Sequence, residues 1–215
     1  MWKYIKGRLN GTDNVYYGMR LLHADSEPHV RGMIAYIMGA LDALGIQNGA
    51  IHSECKYNGA TPEGRARGAV LIESNCRLHG AEGSWMSISE RCLGYTQVSA
   101  LLDAYTDAAA FAKLPRSPRT LLAHGAQVGV RSVVEGNISR IDEGKLDRIR
   151  RCASYVSESL PAKLAVGQPI AKTIDIVTLI GQINLCHEDQ AQLEADLAMA
   201  QALIDEGLFE ADEAR

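Results

Sequence analysis

The chain has 215 residues, 47% of them hydrophobic and 22% charged, with a formal net charge of −4 at pH 7. That length supports one good core, or one lobe with a small appendage, in an ordinary globular protein. The acidic balance excludes the basic footprint of a general nucleic-acid binder, no apolar run approaches a membrane span, and the N-terminus lacks a signal-peptide apolar region.

Met1–Lys6 alternates as a strand does, with Trp2 and Tyr4 on one face and expected in the core. Gly7–Asn14 reads as a polar turn and Val15–Tyr17 as a short apolar resumption. Ser26-Glu27-Pro28 is a helix-start signature. Val30, Met33, Ile34, Ile37, Met38, Leu41 and Leu44 follow at helical spacing, and Gly45 is placed as the stop. The methionines of this stripe read as core filler.

Two apolar-alternating runs come next, Ala50–Lys56 and Ala69–Asn75, around a segment rich in Gly, Asn, Pro and charge. This is a hairpin pattern with a long, solvated loop. Glu73 and Asn75 are two apart and share a strand face at roughly 6.6 Å, and Arg77 continues on that side. Glu54 shares its face with His52 and Lys56. If the faces coincide, Glu54, Glu73 and Asn75 converge with Arg77 at the rim. Two carboxylates and an amide oxygen suit a hard cation such as Mg²⁺, and a neighbouring guanidinium suits a phosphate. The alternative is a surface hairpin whose polar face is merely solvated. A zinc hydrolase built on His52, Glu54 and His79 is a third reading, but these residues lack the helical H-x-x-x-H spacing.

Beyond Arg77, the segment Gly80 to Ser84 feeds Trp85–Leu93, which has helical spacing. A Gly-containing loop at a helix start suits an anionic group, and a plain N-cap by Ser84 is the other reading. Gln97–Lys113 is an Ala-rich helix pattern with Leu101, Leu102, Tyr105 and Ala109, and Arg116–Arg119 is a Pro-punctuated connector. The texture then changes. Leu121–His124 and Val128–Glu135 read as strands, Gly136-Asn137 as a turn, and Leu146–Arg151 as a short basic helix. Ala153–Val156, Leu164–Val166, Ile174–Ile176 and Val177–Leu185 alternate again. Asp189–Glu206 is a long helix with Leu193, Leu197, Leu203 and Ile204 inward. Arg140, Arg148, Arg150 and Arg151 form a basic cluster, read as a solvated face or as a contact for a substrate carboxylate. Cys55, Cys76, Cys92, Cys152 and Cys186 have no C-x-x-C pair and read as reduced thiols of a cytoplasmic protein.

The string G-A-I-H-S-E, a hairpin, and then L-I-E-S-N-C-R-L-H-G resembles the metal-binding hairpin of the ATP-grasp carboxylate–amine or –thiol ligases, closest to the amino-acid-ligase branch. The resemblance implies an α+β fold: the C-terminal portion of an ATP-grasp domain, with an antiparallel sheet and helices. It implies a large subdomain over residues 1–115, a smaller β-rich subdomain with a closing helix over 118–207, and a frayed tail at 208–215. It also implies Mg²⁺, with Mn²⁺ as a substitute, held on ATP by Glu54, Glu73 and Asn75. Arg77 is then the catalytic contact to the transferring phosphate, and Gly80, Gly83 and Ser84 lie beside the carboxylate substrate. The loop departs from the family's double glycine, with Ala81 and Glu82 between Gly80 and Gly83.

The activity implied is ATP-dependent activation of a small carboxylate as an acyl phosphate, captured by an amine or a thiol. Residues 1–25 carry neither the lysines nor the Gly-rich loop of the lobe that covers ATP. The expectation is therefore a C-terminal fragment, inactive by itself, whose partner is the missing N-terminal lobe. No nucleic-acid or membrane partner is expected, and a homodimer stays open. The competing reading is a truncated or degenerate module acting as a non-catalytic binding domain.

Overall fold

The computed structural model describes residues 1–212. In chain order the elements are β1 (Trp2–Leu9), β2 (Thr12–Leu21), α1 (Val30–Ala43), β3 (His52–Tyr57), α2 (Pro62–Arg67), β4 (Ala69–Asn75), α3 (Met86–Leu93), α4 (Gln97–Thr106) and α5 (Ala108–Phe111). They continue with β5 (His124–Val130), β6 (Gly136–Ile141), α6 (Glu143–Arg150), β7 (Tyr155–Ser159), β8 (Pro169–Ile170), β9 (Gly181–His187), α7 (Gln190–Asp205) and β10 (Phe209–Asp212). Two compact units interleave along the chain, where the sequence reading places one division near residues 115–118. The first takes Met1, Leu22–Gly83 and Leu93–Leu121; the second takes Trp2–Leu21, Ser84–Cys92 and the residues from Leu122 onward.

In the first unit the antiparallel pair β3–β4 is flanked by α1. The Tyr36 hydroxyl accepts the Leu71 N–H at 3.0 Å, and the His29 ring stacks on Tyr57 at 4.4 Å. Gly45 ends α1 at φ 70°, a left-handed cap that costs glycine little. The helix starts later than Ser26-Glu27-Pro28 suggests. The Ser26 hydroxyl is taken by the His23 N–H at 2.8 Å, so the first turn belongs to a local bend and His29 becomes the N-cap. Of the apolar stripe only Val30 is fully buried, while Met38 and Leu44 are exposed.

The loop of the hairpin is not merely solvated coil, because it holds α2. Thr61 caps that helix by accepting the Gly64 N–H at 3.0 Å, and Pro62 occupies the first helical position, where its missing N–H costs nothing. The expected single helix over 97–113 is broken into α4 and α5 at Asp107, whose side chain caps α5 through the Ala110 N–H at 2.9 Å.

The second unit carries a five-stranded antiparallel sheet in the order β1-β2-β5-β9-β7 and a three-stranded sheet in the order β10-β6-β8. β1 and β2 form a hairpin longer than the sequence reading expects, because Asn10-Gly11 alone makes the turn, with φ 49° and 86°. Both central residues at positive φ are what a two-residue hairpin turn requires. Asn10 also donates to the carbonyls of Ser132 and Thr173, both at 2.9 Å. β5 is buried along almost its whole length, and α7 packs Leu193, Leu197, Ala200 and Leu203 into the core with Val128, Val130, Ile183 and Leu185. Each such buried leucine, isoleucine or valine contributes about 1.5–3 kcal/mol.

Three expectations for this region change. Gly136-Asn137 begins β6 and is not a turn; residues 131–135 are not strand; and 164–166 and 174–180 pair with no strand among the described residues. Nor is the tail frayed over its described part. Leu208 and Phe209 are buried, and β10 pairs with β6, Phe209 opposite Ile141. Burying those two side chains outweighs the fraying tendency of a chain end. Residues 213–215 of the expected tail lie outside the described residues. The basic cluster is engaged in ion pairs: Arg150 with Glu158 at 2.7 Å, Arg140 with Glu210 at 2.6 Å and Arg151 with Asp147 at 3.2 Å.

Candidate metal and phosphate site

The two runs read from sequence as a hairpin do pair. The register sets His52 opposite Asn75, Ser53 opposite Ser74 and Glu54 opposite Glu73, then slips so that Cys55 faces Leu71. Ile72 is the extra residue of this bulge. Directly opposed residues of an antiparallel ladder share a face, so His52, Glu54, Glu73 and Asn75 form one four-residue patch. The side-chain ligand atoms of His52, Glu54 and Glu73 all lie within 4.8 Å of one another.

Hydrogen bonds organise the patch. Asn75 donates its Nδ2 to Glu73 Oε1 at 2.8 Å, which orients the carboxylate and leaves the amide oxygen for another partner. His52 Nε2 lies 3.4 Å from Glu54 Oε1. The His52 ring stacks on His79, centroids 4.8 Å apart with 18° between planes. His79 is pinned in turn, since its backbone N–H donates to Gln97 Oε1 at 2.7 Å while Gln97 Nε2 donates to the Ile51 carbonyl at 3.0 Å. Burial, with the nearby His52 and Arg77, pushes the His79 imidazole down to about 4, so at neutral pH it is an uncharged ring.

Two carboxylates facing each other in the absence of a cation repel, and the oxygen donors match what a hard divalent ion takes. The donor set therefore fits a Mg²⁺-type cation. Arg77 follows at the end of β4, its N–H bonded to the Asn75 carbonyl at 2.8 Å and its Nη1 donating to the Leu78 carbonyl at 3.0 Å. The remaining guanidinium donors suit an anionic oxygen.

Ala81, Glu82 and Gly83 all take positive φ, 58°, 51° and 73°. Two of the three are not glycines, an arrangement that costs about 1–3 kcal/mol per residue and persists only where its surroundings impose it. Gly80 and Gly83 lie in the first unit with the carboxylates, and Ser84 in the second. There Ser84 is not a simple N-cap. Its hydroxyl donates to Gln182 Oε1 at 2.7 Å and accepts from Gln127 Nε2 at 3.1 Å. Asn184 is the hub of this cluster. Its Oδ1 accepts from Gln127 at 2.9 Å, and its Nδ2 reaches the Ser84 carbonyl at 2.7 Å and the hydroxyls of Ser157 and Ser87 at 3.1 and 3.2 Å. Sequence reasoning missed Gln127, Gln182 and Asn184. The available signal was Gln182 and Asn184 at alternate positions of β9, inside a run that otherwise reads as core, and Gln127 alone among the apolar residues of β5.

The fold is that of the C-terminal half of the ATP-grasp proteins. No family model matches the sequence. The chain is 26% identical over 200 residues to Dapdiamide A synthase from Enterobacter agglomerans, covering 92% of this chain and 43% of that protein. Its fold is similar to that of an L-amino acid ligase from Bacillus licheniformis, with a TM-score of 0.64 at 16% identity, over 97% of this chain and 52% of that one. It is also similar to phosphoribosylglycinamide synthetase from Anaerococcus prevotii, with a TM-score of 0.60 at 14% identity, over 99% of this chain and 48% of that one. The chain thus spans about half the length of the proteins it matches. Among the described residues no helix is long and apolar enough to cross a membrane.

Proposed function

We propose that this chain is the metal- and phosphate-handling part of an ATP- and Mg²⁺-dependent ligase that joins a carboxylate to an amine or thiol through an acyl phosphate. The observation that carries the reading is the cross-strand pairing of Glu54 with Glu73, with Asn75 and Arg77 following on the same strand end. The similarity to a dapdiamide synthase and to an L-amino acid ligase supports amino-acid-like substrates.

In the reaction a carboxylate oxygen attacks the γ-phosphorus of ATP, the bond to the bridging oxygen breaks, and ADP leaves. The nucleophile's lone pair then attacks the acyl carbon, the bond to the phosphate oxygen breaks, and phosphate departs. A divalent cation, when bound, offsets the charge of the phosphates. Glu54 and Glu73 would hold it, Asn75 fixes the Glu73 carboxylate and would offer its own amide oxygen, and Arg77 would set its planar fork against the transferring oxygens. Gly80, Gly83 and Ser84 are assigned to the carboxylate substrate, and a further lobe of the same enzyme to covering ATP. The proposed compartment is the cytoplasm.

The test combines calorimetric titration with Mg·ATP and an ADP-release screen against amino acids and small acids, on the chain alone and joined to such a lobe. Metal-dependent ADP release by the joined protein, requiring both a carboxylate and an amine or thiol, is the expected result. Nucleotide binding without any ADP release would favour the non-catalytic module, and no binding at all would remove the site from this hairpin.

A further inference from the structure

The carboxylate pair has a neighbour that a magnesium site does not need. His52 stands directly opposite Asn75 in the ladder, on the face that carries Glu54 and Glu73. Its side chain is 14% exposed, and its Nε2 is 3.4 Å from Glu54 Oε1. We propose that His52 is a third protein ligand at this site, one that strengthens its hold on first-row transition cations such as Mn²⁺ or Co²⁺ while leaving its hold on Mg²⁺ nearly unchanged. This rests on the reading of Glu54 and Glu73 as a metal pair and adds a residue and a selectivity to it.

The geometry is that of a small coordination shell. Bonds of about 2.0–2.2 Å to one ion place neighbouring ligand atoms ~3 Å apart and opposite ones ~4.2 Å apart. Three ligand atoms already within 4.8 Å of one another need shifts of about an ångström each to share it. The chemistry then separates the candidate ions. Mg²⁺ takes oxygen donors and gives up water reluctantly, so an imidazole adds little to its binding, whereas first-row transition ions accept imidazole readily. Ligation requires the bare Nε2, hence a proton on Nδ1. The stacked His79 ring, tied by its own backbone to Gln97, keeps the His52 ring on the carboxylate face.

The experiment is a titration of the full chain with Co²⁺, followed by visible absorption and by proton NMR for a paramagnetically shifted, exchangeable imidazole N–H, with Mg²⁺ as competitor. Co²⁺ is expected to bind at least tenfold more tightly than Mg²⁺ and to produce one such N–H signal. His52→Ala should remove that signal and weaken Co²⁺ by about 10–100-fold. The same substitution should leave Mg²⁺ within about twofold. His52→Phe keeps a ring against His79 and carries the same readouts should the alanine variant fail to fold.

Persistence of the shifted N–H in both variants, or equal losses for the two ions, overturns the assignment. Glu73→Gln separates the two levels. If it weakens both ions while His52→Ala moves neither, the His52 inference alone falls. If it weakens neither, the metal pair falls, and His52 with it.

Discussion

Glu54 and Glu73 face one another across the β3–β4 ladder, and the register slips by one residue immediately beyond them at Ile72. A bulge re-aims the side chains next to it and is retained where that direction matters. Here it follows directly on a pair of like charges that a plain hairpin would avoid, since directly opposed like charges destabilise a ladder. The arrangement is costly to an empty hairpin and favourable once a cation lies between the carboxylates.

That opposition gives a prediction with a change of sign. With a chelator present, Glu73→Gln should leave thermal stability unchanged or raise it by up to about 1 kcal/mol, because one of two opposed charges is gone. With millimolar Mg²⁺ or Mn²⁺ the wild-type chain should gain stability by mass action and the variant should gain less. Melting curves in the two conditions check this, and a variant destabilised equally in both would show a purely structural carboxylate.

In the assembled enzyme Arg77→Lys should reduce kcat by on the order of 10²–10³ with little change in the KM for ATP. Lysine keeps the charge and loses the planar fork, so ground-state attraction survives while the two-point grip on the transferring group does not. Steady-state kinetics decide it, and a rise in KM at constant kcat would make Arg77 a ground-state anchor.

Asp196 supplies an acid-sensitive contact far from the hairpin. It accepts the Ser154 N–H at 3.0 Å and the Ser154 hydroxyl at 2.6 Å, with both residues buried. Burial pushes its carboxyl up, but the hydrogen bonds from Ser154 and Gln192 outweigh it and hold the carboxyl below its ordinary value. A depressed folded pKa means that the contribution is fully present above about pH 4 and is lost as pH falls through the folded value. Asp196→Ala should cost about 1–3 kcal/mol at neutral pH, by leaving the Ser154 donors without an acceptor. The gap between variant and wild type should narrow in denaturant titrations below pH 4.

Gly125→Ala tests the packing of α3 on β5. A methyl group there would overlap Ile88 and come within 2.8 Å of Cys92 Sγ, and both side chains are fully buried. Overpacking of this kind costs typically about 1–3 kcal/mol. Chemical denaturation should show that loss with an unchanged denaturant slope; no loss would mean that α3 can shift freely.

The readings that held are local. Alternation in Ala50–Lys56 and Ala69–Asn75, the glycine stop at Gly45 and the apolar stripe of 189–206 each report on a chain segment whose period is set by its own backbone. From those periods alone Glu73 and Asn75 could be placed on one face of their strand and Glu54 with His52 on one face of its own, and the string around them pointed to a family. Even local signals were missed where short cues are weak against the surrounding pattern, as with Asn10-Gly11 and Thr61-Pro62.

What no segment carries is its partner. That β2 pairs with β5 more than a hundred residues away, that Asn184 gathers Ser84, Ser87, Gln127 and Ser157, and that the end of the chain returns as β10 against β6 were decided by tertiary structure. The register slip at Ile72 and the stacking of His79 on His52 belong to the same class. The amino-acid sequence determined which residue types lie on which face of each element. Only the folded chain decided which faces meet, because burial and hydrogen bonding are settled between segments whose separation along the chain leaves no trace in either one's period.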